Sequence, residues 1–255
     1  MKTISPSTLS NLPDRIAYLT SFLDFTPSDV EYLHLAAPVV GPLVPAVVDA
    51  VYVKLLSFDI TSKAFVQKQT GFSGKSLEER GGDVQSLTAE DEQIKFRKGF
   101  LTRYLAKLVE MNYDNEKDWE YLDKVAVMHT GQVGFQHRAK KPALRVELIH
   151  ISLLLGFVVD ILLDAVVNHP DLDNGTKAGV LRAFNKVIWI QNDLFARHYV
   201  VDEDTKTAPL GYSAMQVKRV GGCCTGTVQK KALVLGTVAV VLYMGMELVQ
   251  RWLYI

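Results

Sequence analysis

The chain has 255 residues, 48% of them hydrophobic, and its 28 basic and 28 acidic side chains cancel to a formal charge of zero. That length can bury the core of one domain and leave extra segments over. Neutrality removes the basic surplus that phosphate binding requires, so no nucleic-acid partner is expected. The only cysteines, Cys223 and Cys224, are adjacent, which gives no disulfide framework.

The opening stretch MKTISPSTLSNLPDR is polar and lacks the apolar run of a signal peptide, so a cytosolic body is expected. Strand signals are scarce and helical periodicity is common, which predicts an all-α fold. A first helix is predicted over residues 12–25, with Asn11 as cap and Pro13 in the first turn. Thr26-Pro-Ser-Asp opens a second, with Val30, Leu33 and His34 along one side, and Pro38 is expected to end it. A third is predicted over 42–56, with Val47, Val51 and Leu55 facing inward. Residues 70–87 are rich in Gly, Ser and charge, and read as a long loop.

Thr88-Ala-Glu-Asp caps a helix running to about Met111, whose expected buried side carries Ile94, Gly99, Phe100, Tyr104 and Leu108. After a turn at 112–115 comes a short helix over 119–131 containing His129, loosened at its end by Gly131 and Gly134. A connection with Arg138, Lys140, Lys141 and Pro142 leads to a much more apolar helix over 144–168. The last body helix starts after Asp173-Asn174-Gly175 and reaches about Tyr199.

Beyond that point the character changes. Residues 201–230 are polar, contain glycines and read as a linker. Residues 231–255 form a hydrophobic tail without a charge from Ala232 to Met246. Lys218, Arg219, Lys230 and Lys231 on its N-terminal side, and Trp252 and Tyr254 near its end, suit a transmembrane helix anchored from the cytosol. Glu247 opposes that reading, which leaves a helix packed on the body or a partner as the alternative. Cys223 and Cys224 stand where juxtamembrane palmitoylation occurs.

His129 shares a predicted helical face with Leu122, Val125, Ala126 and Val133. A neutral imidazole on an apolar wall suits an axial ligand to haem iron, since a porphyrin needs an apolar slot and one nitrogen donor. A core histidine bonded to a carbonyl is the plainer alternative. His150, on the following helix, is the second candidate ligand; His137 lies beyond two glycines, and His34, His169 and His198 read as helix-end or surface residues. No zinc pair, dinucleotide fingerprint, P-loop or nucleophile elbow is present.

The stretches VVDAVYVKLL (47–56), EQIKFRKGFLTRYL (92–105) and DWEYLDKVAVMH (118–129), with the two apolar helices that follow, carry a resemblance. In order and spacing they resemble the protoglobin and globin-coupled-sensor branch of the globin superfamily, over residues 12–199. The resemblance implies a globin-like fold with an extra N-terminal helix, one haem-binding domain over 1–200, and haem b as cofactor. It makes His129 the proximal iron ligand, with Val125 and Val133 beside it. Tyr52 matches the distal tyrosine, whose hydroxyl donates to a bound gas, and Phe100 matches the distal-helix aromatic that limits access. Val51 stands where protoglobins carry a tryptophan, which makes the distal side smaller. By their place near the histidine helix, Arg138, Lys140 and Lys141 could pair with propionates, a solvated loop being the plainer alternative. A homodimer through the helices around Leu153 and Ile188 is also implied.

These readings converge on a gas-binding protein, tethered to an intracellular membrane and signalling through an unidentified partner. A haem enzyme served by a separate reductase, such as a nitric oxide dioxygenase or peroxidase, is a second hypothesis. A helical membrane adaptor without haem is the third.

Overall fold

A computed structural model describes residues 1–69, 71–136 and 143–200. The chain divides into two units, Met1–Tyr212 and Ser213–Ile255. The linker and tail expected at 201–255, with Cys223 and Cys224, lie outside the described residues, as do His137, Arg138, Lys140 and Lys141.

The described part is all-helical. Its α-helices are α1 (Leu12–Phe22), α2 (Pro27–Val40), α3 (Val44–Leu56), the short α4 (Asp59–Ser62), α5 (Glu92–Glu110), α6 (Glu116–His129), α7 (Leu148–Val167) and α8 (Asn174–Ala196). No strand forms among the described residues, and an isolated antiparallel bridge joins Thr130 to Arg145. The core lies where α8 meets α2, α6 and α7, and where α3 and α2 meet α5.

Local chemistry sets the boundaries. The Asn11 side chain accepts the Asp14 N–H, and Pro13 fills a first-turn position that needs no donor. α1 stops short of its expected end because Asp24 turns left-handed, with φ 50°, and the Phe25 N–H returns to the Thr20 carbonyl at 2.8 Å. α2 opens where the Asp29 carboxylate accepts the Thr26 N–H at 2.7 Å.

The break expected at Pro38 comes later, as a single 3-10 turn at Gly41–Leu43, and Pro38 lies inside α2. A proline in a helix costs about 3 kcal/mol. Burial of Leu33, Val40 and Val44 along the same stripe offsets it, at about 1.5–3 kcal/mol each. α3 then buries Val44, Val47, Val48, Val51 and Tyr52, a helical stripe against α5 and α7.

α5 corrects the expected face. Its buried residues are Gln93, Ile94, Arg97, Leu105, Leu108 and Val109, whereas Phe100 is 44% exposed. Phe100 points within about 20° of the buried Gln93, two turns back, so helical spacing alone does not separate the two; their exposure is set by what each meets across from α5.

α8 is the central strut. The Asp173 side chain caps it by accepting the Gly175 and Thr176 N–H groups. Gly179 lets α2 approach closely: a Cβ there would stand 2.3 Å from the Tyr32 ring. Arg15 grips Asp193 in a two-pronged bond at 2.5 and 2.7 Å, and Lys186 bonds the Asp29 carboxylate at 2.8 and 2.9 Å. These pairs fix α1 and α2 to the same helix.

Candidate functional site

α6 is capped by Asn115, whose side chain accepts the Lys117 N–H at 3.1 Å. Its inner face buries Trp119, Leu122, Val125 and Ala126, and His129 is its last residue. The histidine Nδ1 lies 2.7 Å from the Val125 carbonyl, one turn back. A carbonyl only accepts, so Nδ1 carries the proton and a neutral ring has its lone pair on Nε2. The Phe195 ring packs edge-on at 5.5 Å, fixing the plane of the imidazole.

The backbone under His129 is held as firmly as its ring. The His129 carbonyl accepts the Val146 N–H at 2.9 Å, and the Tyr199 hydroxyl shares its one proton between the His129 and Val146 carbonyls, at 2.8 and 2.7 Å. Around it, Val125, Ala126, Ile151 and Phe195 form a separate apolar cluster, backed by Leu148, Leu155 and Phe135. Tyr104 and Tyr121 pack against both this cluster and the main core. Tyr104 is enclosed, its hydroxyl has no hydrogen-bond partner among the described residues, and burial pushes its ionisation far up.

Val133 is placed differently from the face predicted for it. α6 ends at His129, the chain turns through Gly131 and Gly134 with positive φ, and Val133 is 43% exposed. Gly134 doubles back so tightly that a Cβ would stand 2.6 Å from the Lys124 carbonyl oxygen. The expected helical periodicity therefore does not reach Val133.

Tyr52 is buried on α3 beside the fully enclosed Val51. Its ring meets Phe65 at 5.7 Å. Burial pushes its ionisation up to about 12, while the positive charge of Arg97 pulls the other way. The phenol therefore keeps its proton and remains a donor at neutral pH. On α5, Phe100 packs edge-on against Phe96 at 5.2 Å, and the Arg103 guanidinium lies over it at 4.8 Å. Lys107 reaches Asp118 at 2.6 Å, tying α5 to α6 and holding that carboxyl below its ordinary range.

The remaining histidines have other placements. His34 Nε2 meets the Met111 carbonyl at 3.2 Å, and His198 Nε2 lies 2.8 Å from Asp123. His150 stands half-buried in the first turn of α7. Sequence reasoning missed Phe195, Tyr199, Phe65 and Tyr104 as parts of this region. Phe195 and Tyr199 are more than sixty residues from His129 in the chain, so no local spacing could have pointed to them.

The donor set suits a metal that brings its own equatorial ligands. One imidazole with a committed Nδ1–H faces an apolar, aromatic surround, and no group of three or more His, Cys, Asp or Glu side chains converges among the described residues. The Protoglobin family model matches residues 12–205. The chain belongs to the protoglobin family. It is accordingly a globin of a haem-binding, gas-binding kind. No match was found among curated proteins.

Proposed function

We propose that this protoglobin binds haem b through His129 Nε2 and takes up oxygen, nitric oxide or carbon monoxide on the side where Tyr52 can donate a hydrogen bond. The bond from His129 Nδ1 to the Val125 carbonyl carries this reading, because it orients the ring and raises the donor strength of Nε2. Haem supplies the iron centre that holds a diatomic ligand reversibly. The chain's own residues orient and exclude. Val125, Ile151 and Phe195 offer an apolar wall, and the protonated Tyr52 is the donor. Arg103 over Phe100 offers an exposed cation suited to a propionate.

The wider role is a sensor with a cytosolic body, attached by the apolar tail at 231–255 to an intracellular membrane and passing its state to a signalling partner. A homodimer is part of this reading. α7 carries an apolar outer stripe of Ile149, Leu153, Leu163 and Val167, with Leu153 67% exposed, and α8 adds an exposed Trp189. Ile188, expected at that interface, is instead buried in the core, and its neighbour Trp189 faces outward.

The test is the visible spectrum of the full chain expressed with haem supplied, beside its His129→Ala variant. A Soret band that shifts with carbon monoxide, and is lost or altered in ligation in the variant, is the expected result. A folded but colourless parent would overturn the reading.

A further inference from the structure

Between α4 and α5 the described residues form only short 3-10 turns, yet the first part of this stretch is held in a defined place. The holding is done by two side chains one turn apart on α5. Gln93 is 3% exposed, and its amide nitrogen donates to the Phe65 and Gln67 carbonyls, both at 2.8 Å. Its amide oxygen accepts the Gln69 N–H at 3.1 Å. Arg97, 9% exposed, donates from Nη2 to the Ala64 carbonyl at 3.0 Å. Four backbone groups of residues 64–69 are thus paired with α5 instead of with a strand or helix of their own.

The same two residues set the position of one ring. Phe65 is buried between the Arg97 guanidinium, 4.7 Å from its centroid, and the Tyr52 ring, at 5.7 Å and inclined by 55°. A buried phenol has few ways to turn once a neighbouring ring is fixed against it. We propose that Gln93 and Arg97 are positioning residues for the Tyr52 hydroxyl, acting through Phe65. They staple residues 64–69 to α5, the staple holds Phe65, and Phe65 holds the phenol where it can donate. Gas affinity is then set partly by a loop that never touches the ligand. This inference rests on Tyr52 serving as the donor to the gas in the function proposed above.

A double-mutant comparison on the full haem-loaded chain tests it. Gln93→Leu leaves the Phe65 and Gln67 carbonyls and the Gln69 N–H without their partner, and is expected to speed dioxygen dissociation about tenfold. In a Tyr52→Phe background the same change is expected to have an effect under about twofold, because the donor it positions is already gone. Equal acceleration in both backgrounds, or none in the parent, would overturn the proposal. Arg97→Lys keeps the charge but loses the planar fork, and is expected to act in the same direction by about threefold; it is the variant to use should Gln93→Leu not fold.

A second readout needs no haem. In the haem-free full chain, Gln93→Leu is expected to raise amide hydrogen exchange over residues 63–69, and to raise nitration of Tyr52 by tetranitromethane about fivefold, read by peptide mass. Unchanged nitration would sink the idea. A parent chain that takes up no haem would defeat the proposed function alone, and the haem-free measurement would still decide whether the staple positions Tyr52.

Discussion

The His129 side and the Tyr52 side of this globin are ordered by different means. On the His129 side, α6 packs on α8, Phe195 fixes the ring, and the His129 carbonyl accepts two donors from separate segments. On the Tyr52 side, a stretch with little regular structure is held to α5 by the amide of Gln93 and one arm of Arg97. One side is redundant, so the loss of a single bond leaves others in place. The other depends on a few polar side chains, each serving backbone groups that have no helix or strand to pair with. Under the function proposed above, this division would keep the His129 anchor rigid while the Tyr52 wall varies.

The comparison can be broken or sharpened by four measurements. The largest effect is expected from Gly134→Ala, which places a Cβ 2.6 Å from a carbonyl oxygen at φ +60°. Combined backbone strain and overpacking should cost about 3 kcal/mol in urea unfolding. A loss under about 1 kcal/mol would show that the turn after His129 is less confined than its geometry implies. Gln93→Leu comes next, at about 2 kcal/mol, because three backbone groups lose their partner at once. A neutral result there would mean that the Tyr52 side is as redundant as the other.

The third concerns the frame around α8. Burial works against the charged Asp29, but its bonds to Lys186 and Thr26 outweigh that and hold its carboxyl below the ordinary 3.8. A group depressed on folding contributes fully above its unfolded value and loses that contribution as pH falls through its folded one. Asp29→Asn should therefore be less stable than the parent at neutral pH, with the difference fading below pH about 3.8, as followed by urea midpoints across pH. A difference that does not change with pH would assign the effect to packing. The smallest effect is expected from Tyr199→Phe, about 1 kcal/mol, because one shared proton is lost and the His129 carbonyl keeps the Val146 N–H. A loss of 2 kcal/mol or more would remove the redundancy argued for the His129 side.

Much of the helical order was legible in the residues. Asn11 and Thr26 announced starts, and Val47 and Val51 announced an inward face, whereas α6 begins at Glu116, three residues before its expected first residue. His129 stood out by sharing a helical face with Leu122, Val125 and Ala126, ahead of His150 on the next helix. These signals are local, acting over one or two turns, and survive without knowledge of what lies across the core.

What the tertiary structure decided was everything that depended on distant partners. Pro38 was tolerated because Val40 and Val44 found a core to enter. Arg97 turned inward because Phe65 and the Ala64 carbonyl stood against that side of α5, while Phe100, one turn on, stayed exposed. Phe195 and Tyr199 reached His129 across the chain, and Gly134 was required by a carbonyl ten residues earlier. Periodicity shows which residues share a face, but what that face meets depends on contacts distant in sequence, which no local spacing encodes.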